Sequence, residues 1–323
     1  MYQFNWVKKI LFLLSVAIAF AANAEYPDRP IKLVVPYAPG GSSDIVGRQV
    51  AQFLSKALGQ PVVVENIGGG GGSIGVQRVA AASPDGYTLL LGANSELLIN
   101  KLLRPELPYD AATDFTALGS IGTGSIVIVG KPGLQATTLG DVLKLATKNG
   151  GLNYGTSGLG TIQHLVGEMI KLKTSAPLTH IPYRGAGVLA SDVAGGQVDL
   201  GIATLASVKQ LIDAGKVRAY AVSADKKSEF ASTIPALSET PRLADLTLET
   251  WYGVFAPAKL PTSIAATLQQ KLQAIVQEPE LAKNLEGQAI SISRKPAKDL
   301  PEFLRNENQK YRAIITDAKI SIQ

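Results

Sequence analysis

The feature that most limits how this chain can fold is a unit that occurs twice. Ile31-Lys32-Leu33-Val34-Val35 has the β-branched content of a strand and runs into Pro36-Tyr37-Ala38-Pro39-Gly40-Gly41-Ser42-Ser43-Asp44. A helix follows, with apolar positions Ile45, Val46, Val50, Phe53 and Leu54. The same order returns at Leu152-Asn153-Tyr154-Gly155-Thr156-Ser157-Gly158-Leu159-Gly160-Thr161, after which the chain resumes as a helix through about residue 173. A strand that turns through glycine and hydroxyl residues into a helix aims several free backbone N–H groups at one spot. The positive end of the helix dipole lies there too, so the spot favours an anion.

Further strands and helices alternate around these units. Strands are expected at 61–65, 87–92, 178–181, 217–222 and 251–256, with a crossing strand at Val127-Ile128-Val129 and helices at 139–148, 161–173, 204–213, 263–276 and 301–317. A helix is also expected from about Val188, and a short strand with an acid inside it within 195–202. Alternation this regular predicts an α/β architecture of mainly parallel sheet flanked by helices. The chain, 323 residues long, is enough for two cores. We expect a leader at 1–24, one domain from 25–124 plus 250–323, and a second from 125–249.

Several chemistries fail on spacing. A nucleophile elbow needs G-x-S-x-G, but Gly155-Thr156-Ser157-Gly158 is followed by Leu159. A dinucleotide fingerprint starting at Gly158 would need glycine where Gln163 stands. Gly70-Gly71-Gly72-Ser73-Ile74-Gly75 does fit G-x-G-x-x-G, but five consecutive glycines satisfy that pattern almost by accident, and we expect a turning loop and no cofactor. The two histidines, His164 and His180, are 16 residues apart with no nearby acidic triad, so no metal is expected. A net charge of +5 without basic runs interleaved with aromatics argues against nucleic acid.

What remains is binding of a small anion, for which Ser157 and Thr161 add hydroxyl donors to the helix N-terminus. The alternative for both is service to the backbone as caps. Asp44, in the first turn of its helix, is likewise read either as a cap or as a ligand contact. Ala93-Asn94-Ser95 closes the third strand, and ligands of open sheets sit outside the carboxyl ends of strands, so Ser95 joins the candidate crevice. Asp199 interrupts an apolar stretch and therefore needs a partner.

The amino terminus reads as an export signal. Lys8 and Lys9 precede an apolar run over 10–22, and Ala22-Asn23-Ala24 supplies a small-x-small cleavage pattern. The absence of cysteine excludes a disulfide framework and points away from a lipid anchor. A mature protein beginning at Glu25 in a bacterial periplasm is expected.

Several motifs taken together carry a resemblance to the periplasmic receptors of tripartite tricarboxylate transporters, the Bug family. They are Tyr26-Pro27-Asp28-Arg29-Pro30, Pro39-Gly40-Gly41 with Asp44, Pro84-Asp85-Gly86-Tyr87-Thr88-Leu89, Thr156-Ser157-Gly158 with His164, Pro182-Tyr183-Arg184-Gly185, Gly195-Gly196-Gln197-Val198-Asp199 and Trp251-Tyr252-Gly253. The resemblance implies a two-domain periplasmic binding protein, a Venus flytrap joined by crossing strands and closing over a small organic carboxylate. It implies a receptor without catalysis, a monomer that serves the permease subunits of its transporter. It also implies a site in which Tyr37, Gly40, Gly41 and Asp44 face Ser157, Gly160, Thr161, His164, Tyr183, Gly185 and Asp199. The chain departs from the family's usual pattern after Asn66, where Ile67 and five glycines replace a basic residue, and at Ala93-Asn94-Ser95. The residues themselves leave two other functions open: a sensor passing ligand status to a membrane kinase, and an exported hydrolase using Ser157 or Ser42.

Overall fold

The computed structural model describes residues 26–223, 230 and 232–321; the leader and its cleavage point lie outside the described residues. The first unit forms as its sequence requires. Strand β1 (Ile31–Val35) pairs in parallel with β2 (Val62–Asn66) and β3 (Thr88–Ala93), and helix α1 (Ser42–Leu58) packs Val46, Val50, Phe53 and Leu54 against Ile31, Leu33 and Val35. Each such side chain contributes about 1.5–3 kcal/mol on burial. Gly59 ends α1 in the left-handed conformation at φ 70°, donating its N–H to the Ser55 carbonyl. Helix α2 (Ser73–Ala80) follows the glycine run, and Ser95–Ile99 makes a π-helical turn that continues as α3 (Asn100–Leu103).

The longest strand, β4 (Phe115–Gly130), links the two halves of the molecule. Up to Ser125 it pairs antiparallel with β9 (Glu249–Pro257) and β10 (Ile290–Ile292). From Ile126 onward it pairs antiparallel with β7 (Leu200–Thr204) and β8 (Arg218–Ser223). The second half repeats the parallel pattern, with β5 (Leu152–Thr156) between β6 (Leu178–Pro182) and β7. Its helices are α4 (Leu139–Lys148), α5 (Ile162–Thr174), α6 (Ala186–Ala194) and α7 (Leu205–Asp213). The main strand path is therefore β2-β1-β3-β9-β4-β7-β5-β6. The carboxyl-terminal helices α8 (Thr262–Ile275), α9 (Pro279–Glu286) and α10 (Leu300–Asp317) return to the first half, where Tyr311 receives a hydrogen bond from Asn94.

The expected strands and long helices are present with small shifts at their ends. The crossing strand is much longer than Val127-Ile128-Val129, and the π-turn, α9 and β10 are additions. Gly119, Gly122 and Gly124 depress strand propensity along β4, and only its neighbours on both edges make it a strand.

Packing between β5 and α5 is close enough to reverse a helix-propensity rule. Gly167 lies inside α5, where alanine is ordinarily favoured by about 1 kcal/mol. A Cβ there would stand 2.3 Å from the ring of fully buried Tyr154, whose hydroxyl is fixed on Glu168 at 2.6 Å. Overpacking of this kind costs about 1–3 kcal/mol. Gly167→Ala should therefore lower the melting temperature in calorimetry; a rise would contradict this packing.

Candidate functional site

Three helix N-termini converge where the halves meet. Gly41 caps α1 in extended conformation, Thr161 caps α5, and Gly185 precedes α6. The tips of α1 and α6 nearly touch: a Cβ on Gly41 would lie 3.6 Å from the Ala186 Cβ. Gly187 approaches still closer, since its Cβ would stand 2.6 Å from the Pro39 carbonyl oxygen. Each half also caps a helix of the other. The Ser42 N–H donates to Ser207 Oγ at 2.9 Å, and the Ile162 N–H donates to Ser95 Oγ at 3.0 Å. The next N–H group along each helix, on Ser43 and Gln163, has no protein acceptor among the described residues.

Between these tips lies a narrow cavity lined by Tyr37, Gly41, Ser42, Ser43, Ser95, Glu96, Ser157, Gln163, Thr250 and Tyr252, with Ala93 and Ala186. Its free space is about 20 Å³, room for about one water molecule. A solute of several heavy atoms enters only as the two halves part. The lining among the described residues includes hydroxyls, an amide and one carboxylate, and no lysine, arginine or histidine. Tyr252 donates to Ser42 Oγ at 2.7 Å, and Ser157 donates to Gln163 Oε1 at 3.2 Å. Neither serine is paired with a histidine.

Of the residues read from the sequence, Tyr37, Gly41, Ser95 and Ser157 come together here. The others shape the loops around them. Gly40 turns at φ 85° and donates to Asp44, which also accepts from Arg48 Nε and Asn66 Nδ2, each at 3.0 Å. Burial would raise the Asp44 pKa, but these bonds outweigh it and hold the carboxyl below its usual range. Asp44 thus ties the first loop to the first turn of α1.

Thr161 accepts from the His164 N–H and donates to the Gly158 carbonyl, so its hydroxyl is spent on its own turn. Gly160, at φ 76°, donates to His164 Nδ1 at 3.3 Å. The His164 ring stacks on His180 at 4.2 Å, and His180 Nε2 meets Thr156 Oγ1 at 2.7 Å. Burial lowers both imidazole pKa values, that of His180 to about 4 with help from His164, so the pair stands neutral behind the loop at pH 7.

Tyr183 packs under α6, where burial and the Asp192 carboxylate push its phenol up to about 12, and Gly185 abuts Ala38. Asp199 does not face the cavity. It precedes β7, whose far end carries Thr204, and pairs with Lys131 at 2.7 Å and the Asn153 N–H at 2.8 Å.

Glu96 is the residue that sequence reading passed over. It is fully buried, and its oxygens accept from the Ala93 N–H at 2.5 Å and the Tyr37 hydroxyl at 2.9 Å. The available signal was an acid directly after a strand and before the apolar run Leu97-Leu98-Ile99. Burial raises its pKa to about 7, against the lowering effect of those bonds. A carboxyl pKa above the unfolded value means stability is fullest at low pH and is lost as pH rises from about 4.5 through about 7. The histidines work in the opposite sense over the same window, so wild type alone does not isolate the effect. The unfolding free energy of wild type minus that of Glu96→Gln should fall by on the order of 3 kcal/mol between pH 4.5 and pH 8 in denaturant titrations. A flat difference would mean that Glu96 titrates normally.

Comparison with known proteins agrees with this geometry. Residues 46–320 match the model of the tripartite tricarboxylate transporter family receptor. Protein BugT of Bordetella pertussis is 30% identical over 96% of each chain. Among solved structures, R. palustris Rpa4515 with adipate shares 30% identity and a TM-score of 0.88, covering 92% of this chain and 99% of that one. MatC (Rpa3494) from Rhodopseudomonas palustris with bound malate shares 25% identity and a TM-score of 0.85, covering 90% and 100%. The two halves described above are the lobes of a periplasmic binding-protein fold, and the chain belongs to the tripartite tricarboxylate transporter receptor family, the Bug family of solute-binding proteins.

Proposed function

We propose that this protein is a periplasmic receptor that closes over a small carboxylate-bearing solute and delivers it to the membrane permease of a tripartite tricarboxylate transporter. The observation that carries the reading is the meeting of three helix N-termini at a cavity whose lining, among the described residues, holds no cation. A carboxylate seated there is held by backbone N–H groups and hydroxyls, each charge-assisted bond being worth about 1.5–3 kcal/mol. The structures of relatives with adipate and malate support the ligand class. The receptor binds and releases without chemistry: the serines that a hydrolase would use are bonded to Tyr252 and Gln163, away from the histidines.

In this reading the lobes are 25–124 with 250–323, and 125–249. The change of partners along β4 between Ser125 and Ile126 supports that division. Export with cleavage after Ala24 completes it. Protein recovered from the periplasm should have the intact mass of a chain starting at Glu25, and full-length protein in the membrane fraction would refute the leader.

Gly187 offers a test of closure. Alanine suits its place in α6, and the clash of its Cβ with the Pro39 carbonyl exists only when the lobes meet. A library of carboxylates should raise the melting temperature of the wild type, since a ligand at 100 times its Kd stabilises by about 2.7 kcal/mol. Gly187→Ala should fold as well as wild type yet bind the same solute at least 10-fold more weakly in calorimetry, with small-angle scattering showing a less compact bound form. Unchanged affinity would show that the solute is held without closure.

A further inference from the structure

The cavity is chemically lopsided, and the imbalance bears on what the solute carries besides its carboxylate. The helix tips form an electropositive side. Beside them lies the Glu96 carboxylate, fully buried and facing the same cavity. Among the described residues no lysine, arginine or histidine pairs with it; its donors are the Ala93 N–H and the Tyr37 hydroxyl, both neutral. The surroundings fix it firmly. The Tyr37 hydroxyl oxygen also lies 3.0 Å from the Gly71 carbonyl, Tyr109 donates to the Glu96 carbonyl at 2.6 Å, and Gly72 packs on the Glu96 Cβ. The carboxylate is therefore positioned, and it cannot swing out to water.

A carboxylate has about four acceptor sites, and neighbouring residues use two of them here beside the Glu96 N–H itself. The rest are available for donors on a solute. A buried acid without a counter-charge is costly, and a cation brought by the ligand relieves that cost. A second carboxylate brought to the same place would add like charge at short range.

We propose, resting on the receptor reading above, that Glu96 is a specificity-determining residue whose carboxylate receives a protonated nitrogen of the solute, so that this receptor takes zwitterionic carboxylates in preference to dicarboxylates. The solute's carboxylate lies toward the N–H groups of α1 and α5, and its ammonium or equivalent group donates to Glu96. The raised pKa of Glu96 agrees with an acid that has no positive partner until the solute arrives.

Matched pairs of probes decide this. Calorimetry on the full mature chain at pH 8 would compare adipate with 6-aminohexanoate, glutarate with 5-aminovalerate, and malate and succinate with a panel of α-amino acids. At least one zwitterion should bind 10-fold or more tightly than the dicarboxylate of its length. Glu96→Gln, isosteric and checked for folding by its melting curve, should lose 10-fold or more for that zwitterion and gain affinity for the dicarboxylate. A dicarboxylate bound by wild type as tightly as any zwitterion would overturn the assignment of Glu96 and leave the receptor reading intact. So would a Glu96→Gln variant with unaltered selectivity. Failure of every carboxylate of either kind to bind wild type would overturn the receptor reading, and this inference with it.

Discussion

Each lobe caps a helix of the other, and the closed arrangement rests on that exchange. The first N–H of α1 is satisfied by Ser207 and that of α5 by Ser95. Helix ends leave their first N–H groups unpaired, and a buried unpaired donor costs about 1–3 kcal/mol. Closure therefore removes water from these donors and offers each a hydroxyl in its place. It also brings positive dipole ends tip to tip. Two half-charges about 6 Å apart repel by roughly 0.7 kcal/mol at an effective dielectric of 20. Negative charge between the tips converts that repulsion into attraction, which is why the same geometry that resists an empty closed state suits an anion.

Glycine is needed at this seam for contact rather than for looseness. In the sequence, Gly68 to Gly72 reads as a turning loop. In the structure, each glycine from Gly69 to Gly72 has positive φ, and the Gly72 N–H closes a tight turn on the Gly69 carbonyl at 3.0 Å. A Cβ on Gly71 would meet the Leu159 carbonyl oxygen at 2.3 Å, and one on Gly158 would stand 3.1 Å from the Gly71 Cα. Backbone meets backbone across the cleft with no side chain between. The run that mimics a phosphate-binding fingerprint is an inter-lobe contact surface.

Local chemistry explains what was legible in the sequence. β-branched runs, glycine loops and apolar spacing are properties of neighbours in the chain, so the strand–loop–helix units, the alternation and the loop positions of Tyr37, Gly41 and Ser157 could be read directly. Partnerships between distant residues could not. Asp199 sits within an apolar stretch, yet its partner Lys131 lies on the loop after β4, far from it in sequence. The Thr161 hydroxyl fits a cap and a ligand donor equally well on paper, and only the Gly158 carbonyl at 2.8 Å shows where its proton goes. The π-turn at Ser95–Ile99, which turns Glu96 inward, has no propensity signal of its own. It exists because Tyr37, Tyr109 and the Ala93 N–H hold that residue from three sides.

The division of labour between loops and helices follows from the same contacts. Charged groups near the cleft are neutralised away from it: Asp44 by Arg48 and Asn66, Glu168 by Lys171 and Tyr154. His164 and His180 are held uncharged by burial and serve as a stacked support for the second loop. Apart from Glu96, the fixed charge near the cleft is thus removed, and dipoles whose directions are set by the helices remain. Because helices α1 and α6 belong to different lobes, their N–H groups point at a common spot only in the closed form. On the receptor reading proposed above, affinity and closure are one process: an anion would bind weakly to either tip alone, and strongly when the second lobe arrives with its own.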